Sequence, residues 1–482
     1  MYRRLSRLLE YDARYALTSH VFMRLLALIY LAAFVSTAIE ITGLVGSQGI
    51  LPAGEYLNGL HDRFGKLAWI RFPTLFWLDH SDMSLLAASY AGCLFAVLLL
   101  IGWRPLLSTI VLFLLYLSLF RVGQIFFNFQ WEYLLLEAGL LAIFLTGGPN
   151  RLLIFLYHWL LFRLRFLSGL SKILSEDPSW SQLTTLNYYF ETQPLPHIGS
   201  WYAHQLPDAL LRFGTGLTLF VELLVPFFIF LPRRFRIFAA LATISIQLLI
   251  IFTSNHNFIN LLTIALCLFL LDDQALRRFV PRRKTGHEQS PRSGRALRLG
   301  LPVLASILVF SSCVAAYEFI TDRQPRTAWN APVNWVRGWG VGNVFHVFPT
   351  MQTERHELVI EGSNDGQSWQ AYRFRFKPNS ADDYPDFVVP LHPRLDWMIW
   401  FIPSQNPVMR NWFERFLWRL HTGSADVSGL LEHDPFPDQG PKYLRISVYR
   451  YRFTSPAERQ RSGNIWHTQY LGEFPKVPPR NP

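Results

Sequence analysis

Long apolar runs alternate with short polar segments over most of the chain up to residue 319. A helix needs about 20 mostly apolar residues to cross the roughly 30 Å hydrocarbon core of a bilayer. Nine runs reach or approach that length, which predicts an α-helical multipass membrane domain over residues 1–319. The predicted spans are residues 20–42, 85–102, 106–120, 132–148, 152–173, 214–231, 237–253, 258–272 and 299–319.

Residues 320–482 follow a different pattern and contain no apolar run long enough to span a bilayer. Apolar and polar positions alternate on both sides of the Asn-Asp-Gly turn at 364–366, which predicts a β-hairpin. Residues 442–453 alternate in the same way, whereas the apolar residues of 408–420 recur at helical spacing. These elements predict a β-rich, β-sandwich-like domain with one amphipathic helix. We expect that helix to pack on the sheet, the alternative being the membrane surface.

Composition and charge placement predict the topology. The chain of 482 residues is 51% hydrophobic and carries a net charge of +11. The loops predicted on the same side of the membrane as the N-terminus contain 17 lysines and arginines, against five in the loops on the opposite side. This positive-inside bias predicts a cytosolic N-terminus. Residues 273–298 are predicted to be a basic cytosolic linker, not a nucleic-acid site. An odd number of spans then makes 320–482 extracytosolic, together with loops 43–84, 121–131, 174–213 and 254–257.

Several charged residues fall inside the predicted spans, where an unpaired charge is costly. Glu137 lies one to two turns inside its span, whereas Glu132 lies near the start and is expected at the interface. Glu222 repeats the pattern on another span. The candidate cationic partners of Glu137 lie on the next long helix and are Arg163, Arg165 and Lys172.

Two alternatives account for these charges. Structural ion pairs would brace one span against another, whereas a polar intramembrane pocket would make Lys172, Glu137 and Glu222 candidate catalytic residues. For Lys172 a further alternative is snorkelling to the interface at the end of its span.

Loop 174–213 is rich in aromatic residues, and prolines fix its path. It is either an interfacial aromatic belt or a recognition surface for an extended chain or a lipid. The candidate client-binding or lipid-binding residues are Trp180, Tyr188, Tyr189, Trp201 and Tyr202, with Trp369 and Trp397 in the polar domain.

No motif specifies an enzyme of a known soluble class. The four histidines His158, His197, His204 and His256 do not have the spacing of metal ligands, so we expect no metal and no cofactor. A catalytic elbow, a phosphate loop and a dinucleotide fingerprint are missing from the sequence. A solute transporter would predict an inverted repeat of spans, and none is evident.

Long blocks of the sequence resemble the lipase maturation factor family. They include "FNFQWEYLLLEAGLLAIFL" and "LNYYFETQPLPHIGSWYAHQLP" in the membrane half, and "HELVIEGSNDGQSWQAYRFRFKP" and "DPFPDQGPKYLRISVYRYRFT" in the polar half. The resemblance implies a multipass protein of the secretory pathway that assists folding of secreted, lipase-like clients in contact with membrane lipids, without a catalytic reaction. The polar half has no cysteine, which favours a bacterial member in the inner membrane over one in the endoplasmic reticulum.

A more distant resemblance is to the membrane domain of vitamin K-dependent gamma-carboxylase, carried by "LSGLSKILSEDPSW". It implies the alternative of an intramembrane enzyme with Lys172 as a base in a polar pocket.

Overall fold

The computed structural model describes residues 7–277, 295–323, 329–404, 407–437 and 439–474. The N-terminal part is helical, with short 3-10 turns at Ala13–Tyr15, Leu75–Trp77, Gln124–Phe127, Val225–Phe230 and Leu268–Leu270. Its α-helices are α1 (Ala16–Val45), α2 (Ala53–Phe64), α3 (Leu67–Arg71), α4 (Asp82–Ile101), α5 (Pro105–Val122), α6 (Gln130–Leu145), α7 (Arg151–Leu174), α8 (Pro178–Ser181), α9 (Thr185–Thr192), α10 (Ile198–His204), α11 (Asp208–Leu223), α12 (Arg233–Thr253), α13 (Ile259–Cys267), α14 (Asp273–Leu276) and α15 (Arg295–Thr321).

Seven helical segments of the described chain are long and apolar enough to cross a membrane. They correspond to seven of the predicted spans, and the spans predicted at 132–148 and 258–272 form the shorter helix α6 and the shorter segment Ile259–Leu270. The multipass helical domain is therefore confirmed, while nine crossings stay a prediction. The seven segments are Ala13–Val45, Asp82–Ile101, Pro105–Val122, Arg151–Leu174, Asp208–Phe230, Arg233–Thr253 and Leu299–Thr321.

Helix α1 packs closely against α4 and α5. It approaches α4 so closely that a Cβ atom on Gly92 would overlap the ring of Phe34. The same ring packs edge-on against Tyr116 of α5 with centroids 5.3 Å apart, and Tyr30 lies 5.9 Å from Tyr116. Small and aromatic residues thus interlock at these helix contacts, as close packing without a hydrophobic driving force in lipid requires.

Opposite ends of the helices hold different sets of loops together. At one end Asp12 N donates to Pro149 O (2.8 Å), and Thr18 N donates to Asp273 Oδ1 (2.9 Å). These contacts join segments that were predicted to be cytosolic. The C-terminal domain contacts segments from the other predicted set, as described below. Of the predicted basic linker, residues 278–294 lie outside the described chain.

The C-terminal domain is built on one antiparallel sheet with strand order β2-β1-β3-β4. Its strands are β1 (Arg355–Ser363), β2 (Gln370–Ala371), β3 (Tyr443–Phe453) and β4 (Trp466–Glu473). Its helices are α16 (Asn330–Gly338), α17 (Arg394–Ile399), α18 (Pro407–His421), α19 (Ala425–Ser428) and α20 (Pro456–Ser462).

The predicted β-rich domain is confirmed, with one correction. The described residues form a single sheet, and helix α18 takes the place of the second sheet of a sandwich. The ring of Phe416 on α18 lies 6.1 Å from that of Phe374, while Trp412 reaches Phe126 of the membrane domain at 5.7 Å. The helix therefore packs between the sheet and the membrane domain, which buries its apolar face without a second sheet.

The predicted hairpin is present between β1 and β2, with Glu361 opposite Ala371. Asp365 organises its turn, since Oδ1 accepts hydrogen bonds from Gln367 N (2.8 Å) and Ser368 N (2.7 Å). These local bonds hold the backbone in a turn rather than a ladder, which keeps β2 short.

The contact between α1 and α4 gives a first testable prediction. Replacing Gly92→Ala places a Cβ against the Phe34 ring and should lower the free energy of unfolding by about 1–3 kcal/mol. The matched control is Gly59→Ala on α2, where a Cβ meets nothing within 4 Å and should be neutral or slightly stabilising. Thermal unfolding of the detergent-solubilised proteins measures both, and a Gly92→Ala protein as stable as Gly59→Ala contradicts the packing.

Candidate functional site

Glu137 is paired inside the protein with Arg163, the first of its three candidate partners. Both side chains are about 2% exposed, and Arg163 Nη2 donates to Glu137 Oε1. The C-terminal part of the chain completes the pair. Gly342 N donates to Glu137 Oε2 (2.8 Å), and Arg163 Nη1 donates to Asn343 O (3.0 Å). The pair therefore binds the segment at 342–343 as well as joining α6 to α7.

A second cluster contains Arg165 and Lys172, the other two candidate partners of Glu137, but here both pair with Glu222. Lys172 Nζ lies 2.8 Å from Glu222 Oε2, and Arg165 Nη2 lies 3.2 Å from Glu222 Oε1. Lys172 Nζ also donates to Val347 O (2.9 Å), and the ring of Trp180 covers it at 5.1 Å. Lys172 is 4% exposed, so the alternative of a snorkelling lysine is wrong.

The structure thus brings Lys172 and Glu222 together and places Glu137 in a separate pair. Both carboxylates have cationic partners, and both clusters bind backbone carbonyls or amides of residues 342–347. Glu137 pairs with one cation, whereas Glu222 lies between two, and Arg165 Nε and Nη2 have no hydrogen-bond partner among the described residues. Within the described residues, no group of three or more His, Cys, Asp or Glu side chains is placed to hold a metal ion.

A third cluster, formed by Glu132 and Arg394, was not predicted from the sequence. Glu132, expected at the membrane interface, is fully buried and lies 2.5 Å from Arg394 Nη1, which is fully buried as well. The Tyr116 hydroxyl donates to the same carboxylate, and Arg394 N donates to Glu40 Oε2 (2.9 Å). The guanidinium stacks on the ring of Phe127 at 3.6 Å. Arg394 of α17 therefore extends from the C-terminal domain into the centre of the membrane domain.

The signal for this contact was a charged pair inside apolar sequence, "PLHPRLDWMIWF". Arginine is seldom fully buried unless it is paired, so a buried position for Arg394 requires a partner. The sequence offered no means of choosing its partner, because Glu132 and Arg394 are 262 positions apart.

A fourth cluster fixes the sheet on the aromatic loop. Arg355, at the start of β1, lies 2.5 Å from Glu357 Oε1 and donates to Glu191 O and Pro194 O, both at 3.1 Å. Lys377 Nζ lies 3.2 Å from the second oxygen of Glu357. Loop 174–213 is thus a docking surface for the C-terminal domain of the same chain.

Three of the seven aromatic candidates serve the contact between the two domains. Trp180 Nε1 donates to Pro349 O (3.0 Å), and Trp201 Nε1 donates to Thr454 O (2.9 Å). Both indoles are buried. Trp397 is buried beside Trp131, with ring centroids 5.3 Å apart. The Tyr189 hydroxyl lies 2.6 Å from His256 Nε2.

The remaining candidates are more accessible. Tyr188 is half-buried, and Trp369 is half-buried beneath the Arg445 guanidinium at 4.4 Å. Tyr202 is 60% exposed. The buried indoles are therefore unavailable to a partner in this arrangement, and Tyr202 is the most exposed of the predicted binding residues.

Burial also shifts the titration of groups at the contact between the two domains. Burial raises the pKa of Asp396 to about 6, although its carboxylate accepts hydrogen bonds from Phe376 N and Lys377 N. Burial raises the pKa of Glu191 in the same way. The pKa of His392 lies well below its ordinary value because of burial and the neighbouring Arg394 charge, which keeps the imidazole neutral. Asp396 and His392 are each 1% exposed, so water has little access to these two groups.

The buried pair between the domains gives a second prediction. Arg394→Met should lower the free energy of unfolding by about 3–5 kcal/mol, because the Glu132 carboxylate stays buried without its guanidinium. The double variant Glu132→Gln with Arg394→Met removes both charges and should recover most of the loss. Thermal unfolding measures stability, and limited proteolysis measures release of the C-terminal domain.

The matched control is Arg410→Met, which removes an exposed arginine paired with Glu414 on α18 and should change little. A double variant as unstable as Arg394→Met alone contradicts the role of the charge pair.

Comparison with known proteins identifies both halves of the chain. A family model described as lipase maturation factor transmembrane domain matches residues 17–278, and one described as lipase maturation factor C-terminal domain matches residues 341–476. No solved structure matches the chain. The comparisons do not support the distant resemblance to gamma-carboxylase.

Individual relatives agree with the family models over nearly the whole length. Lipase maturation factor 2 of Xenopus laevis is 32% identical over 573 residues, covering 92% of this chain and 80% of the relative. Lipase maturation factor 1 of Mus musculus is 31% identical over 499 residues, covering 95% of this chain and 86% of the relative. The human lipase maturation factor 1 is 31% identical over 501 residues, covering 95% and 87%. The chain is an integral, multipass membrane protein and belongs to the lipase maturation factor family.

Proposed function

We propose that this protein assists the maturation of a lipase-like client, and that its C-terminal domain presents the client-binding surface. The names of the relatives support the client class. The observation that carries the mechanism is the buried pair between Glu132 and Arg394, which fixes the C-terminal domain on the membrane domain. A domain fixed in this way offers a preorganised surface close to the membrane, and preorganisation reduces the entropic cost of binding.

An exposed aromatic patch near the domain contact is the best-supported part of that surface. We define the outer patch as Tyr202, Tyr384 and Arg459. The Arg459 guanidinium lies 4.5 Å from the Trp201 ring and 5.5 Å from the Tyr384 ring, and Tyr202 stacks edge-on against Trp201 at 5.0 Å. Tyr384 is 56% exposed. Tyrosine and arginine are the residue types enriched at binding hot spots, so this patch suits contact with an incompletely folded chain.

The remaining buried candidates act indirectly in this proposal. Lys172, Glu137 and Glu222 hold residues 342–347 against the membrane domain, and Trp180 and Trp201 hold the sheet. They are positioning residues for the surface above them. Their contacts with one another and with the backbone of residues 342–347 support a scaffold better than an intramembrane enzyme.

The test of the proposed function is maturation of a coexpressed secreted lipase. The double variant Tyr202→Ala with Tyr384→Ala should lower lipase activity per milligram of secreted lipase about tenfold, because two hot-spot side chains are truncated. Tyr443→Ala is the matched control, since Tyr443 is 53% exposed at the opposite end of β3 from Phe453. Specific activity that is the same with and without the whole protein would exclude the function.

We also propose that the protein lies in the bacterial inner membrane or its eukaryotic equivalent, and that its C-terminal domain is extracytosolic. The positive-inside bias supports this side, and the domain contacts loops from the set predicted on that side, for example Gly49 O accepting from Arg419 Nε (2.8 Å). A secreted client would meet the domain there.

Cysteine labelling tests this orientation. Ser462 lies exposed on helix α20. In right-side-out membrane vesicles, Ser462→Cys should react with an impermeant maleimide, because the proposed orientation puts it in the outer solution. Arg234→Cys, exposed at the opposite end of the helices, should react only after the vesicles are permeabilised. The wild-type protein gives the background from Cys93, Cys267 and Cys313. The reverse labelling pattern would place the domain in the cytosol.

A further inference from the structure

The loop at 46–81, which joins the first two of the described spanning segments, carries a group of exposed apolar side chains. None of the five belongs to a spanning segment, yet each is 45–78% exposed. The rings of Trp69 and Trp77 stack with their centroids 5.5 Å apart, which brings the two halves of the group together. A continuous exposed apolar group marks contact with a partner or with a membrane. We call this group the loop patch, and it consists of Leu67, Trp69, Ile70, Leu75 and Leu78.

Contacts with the spanning helices show the depth of the loop patch. Thr74 Oγ1 donates to Ser118 O (3.2 Å), and Ser118 lies about one turn before the end of the segment Pro105–Val122. Leu78 comes shortly before the start of the next segment, Asp82–Ile101. The patch therefore lies at the level where two spanning helices have their ends.

A third spanning segment, Leu299–Thr321, ends beside the same loop. Glu318, in its last turn, pairs with Arg337 of α16 at 2.9 Å. Trp335 of the same helix donates from Nε1 to Ile70 O (3.0 Å). Because three segments end here, the apolar side chains exposed at this level face the boundary between hydrocarbon and water, where tryptophan is enriched.

Two exposed arginines beside the loop patch have no acidic partner. The guanidinium carbons of Arg63 and Arg71 lie 5.3 Å and 4.7 Å from the centre of the Phe64 ring. Neither guanidinium forms an ion pair with a carboxylate in the part of the chain that the structure describes. Arg121 adds a third charge, because it lies over the Phe72 ring at 5.1 Å and donates to Arg71 O (3.0 Å). Like charges held this close repel each other, so an external anion would stabilise the arrangement.

The carboxylates of the region are mostly bound elsewhere. Glu55, in the first turn of α2, pairs with Arg415 at 2.7 Å, whereas Phe64 ends that helix about 14 Å further along. Two more carboxylates accept hydrogen bonds from serine hydroxyls, and they belong to Asp79 and Asp82. Asp62 is exposed beside Arg63 in the sequence and forms no ion pair among the described residues. The three arginines around Phe64 and its neighbouring ring therefore outnumber the one unpaired carboxylate.

We propose that the loop patch, with Arg63 and Arg71, binds anionic phospholipids of the leaflet on the side of the C-terminal domain. The apolar side chains enter the edge of the hydrocarbon, and the guanidiniums bind headgroup phosphates, which their planar donor groups suit. A headgroup with net negative charge is preferred to a zwitterionic one, because it brings no cation of its own. The inference needs the membrane domain but not the proposed function, so a failure of either leaves the other standing.

Thermal unfolding of the full chain in a neutral detergent tests the headgroup. The added probes are dihexanoyl phosphatidylglycerol, dihexanoyl phosphatidylcholine and glycerol phosphate. Saturating phosphatidylglycerol should raise the unfolding temperature by about 2–4 °C, because a ligand of the folded state stabilises it. Phosphatidylcholine should act more weakly, and glycerol phosphate, which lacks acyl chains, should do little. Equal shifts with the two lipids would overturn the preference for an anionic headgroup, and an equal shift with glycerol phosphate would overturn binding of a lipid.

A charge variant locates the binding surface. Arg63→Gln with Arg71→Gln should abolish most of the shift caused by phosphatidylglycerol. The unfolding temperature without lipid should change little, because both residues are exposed. The matched control is Arg410→Gln with Arg461→Gln, which removes two exposed arginines of the C-terminal domain and should keep the shift. A full shift in the Arg63 and Arg71 variant would overturn the assignment to this loop.

Fluorescence quenching tests the apolar half of the surface. Leu67→Cys, labelled with bimane, is reconstituted in vesicles of phosphatidylcholine and phosphatidylglycerol. A lipid nitroxide near the top of the acyl chain should quench this label strongly, because Leu67 is proposed to enter the membrane boundary. The same label on Ser462→Cys of α20 is the control in water, and the labelled wild-type protein gives the background. Quenching at Leu67 no stronger than at Ser462 would overturn the inference and leave the loop patch open to a protein partner.

Together the two measurements separate a lipid surface from a simple charge effect. A lipid shift that depends on Arg63 and Arg71, with strong quenching at Leu67, supports the proposed surface. A shift that depends on the arginines without quenching at Leu67 overturns membrane entry of the loop patch.

Discussion

The ion pair between Glu132 and Arg394 is the contact on which the arrangement of the two domains depends. Both groups are fully buried, so separating the domains would leave each without its partner until water reached it. The cost of an uncompensated buried charge is several kcal/mol, far above that of an exposed pair. The pairs at Glu137 and Glu222 extend the same constraint along the contact, because each also binds the backbone of residues 342–347. Membrane and C-terminal domains thus stabilise each other.

This mutual stabilisation explains why the aromatic loop is mostly internal. The indoles of Trp180 and Trp201 donate to carbonyls of the C-terminal domain, and the Arg355 guanidinium donates to carbonyls of the loop. The aromatic residues that stay exposed beside this contact include Tyr202 and Tyr384. The proposed client contacts therefore lie where the rigid scaffold ends, which is where binding residues are commonly found.

The sequence was sufficient to predict the secondary-structure elements, but it did not show which charged residues pair with each other. Apolar run length predicted the membrane helices, and alternation around Asn364 predicted the hairpin, since both are local patterns. Glu137 was recognised as costly because its depth in a span can be counted, and its partner Arg163 is near in sequence. Glu132 was misjudged because its environment is made by Arg394, a residue far along the chain whose position depends on the folded C-terminal domain.

The separation of Glu132 and Arg394 has a consequence for the order of events during synthesis. The helix that carries Glu132 is made 262 positions before its counter-charge. During that interval the carboxylate must be protonated or reached by water, since no guanidinium is present to neutralise it. The charge of Glu132 is therefore matched by Arg394 only once the C-terminal domain has been synthesised.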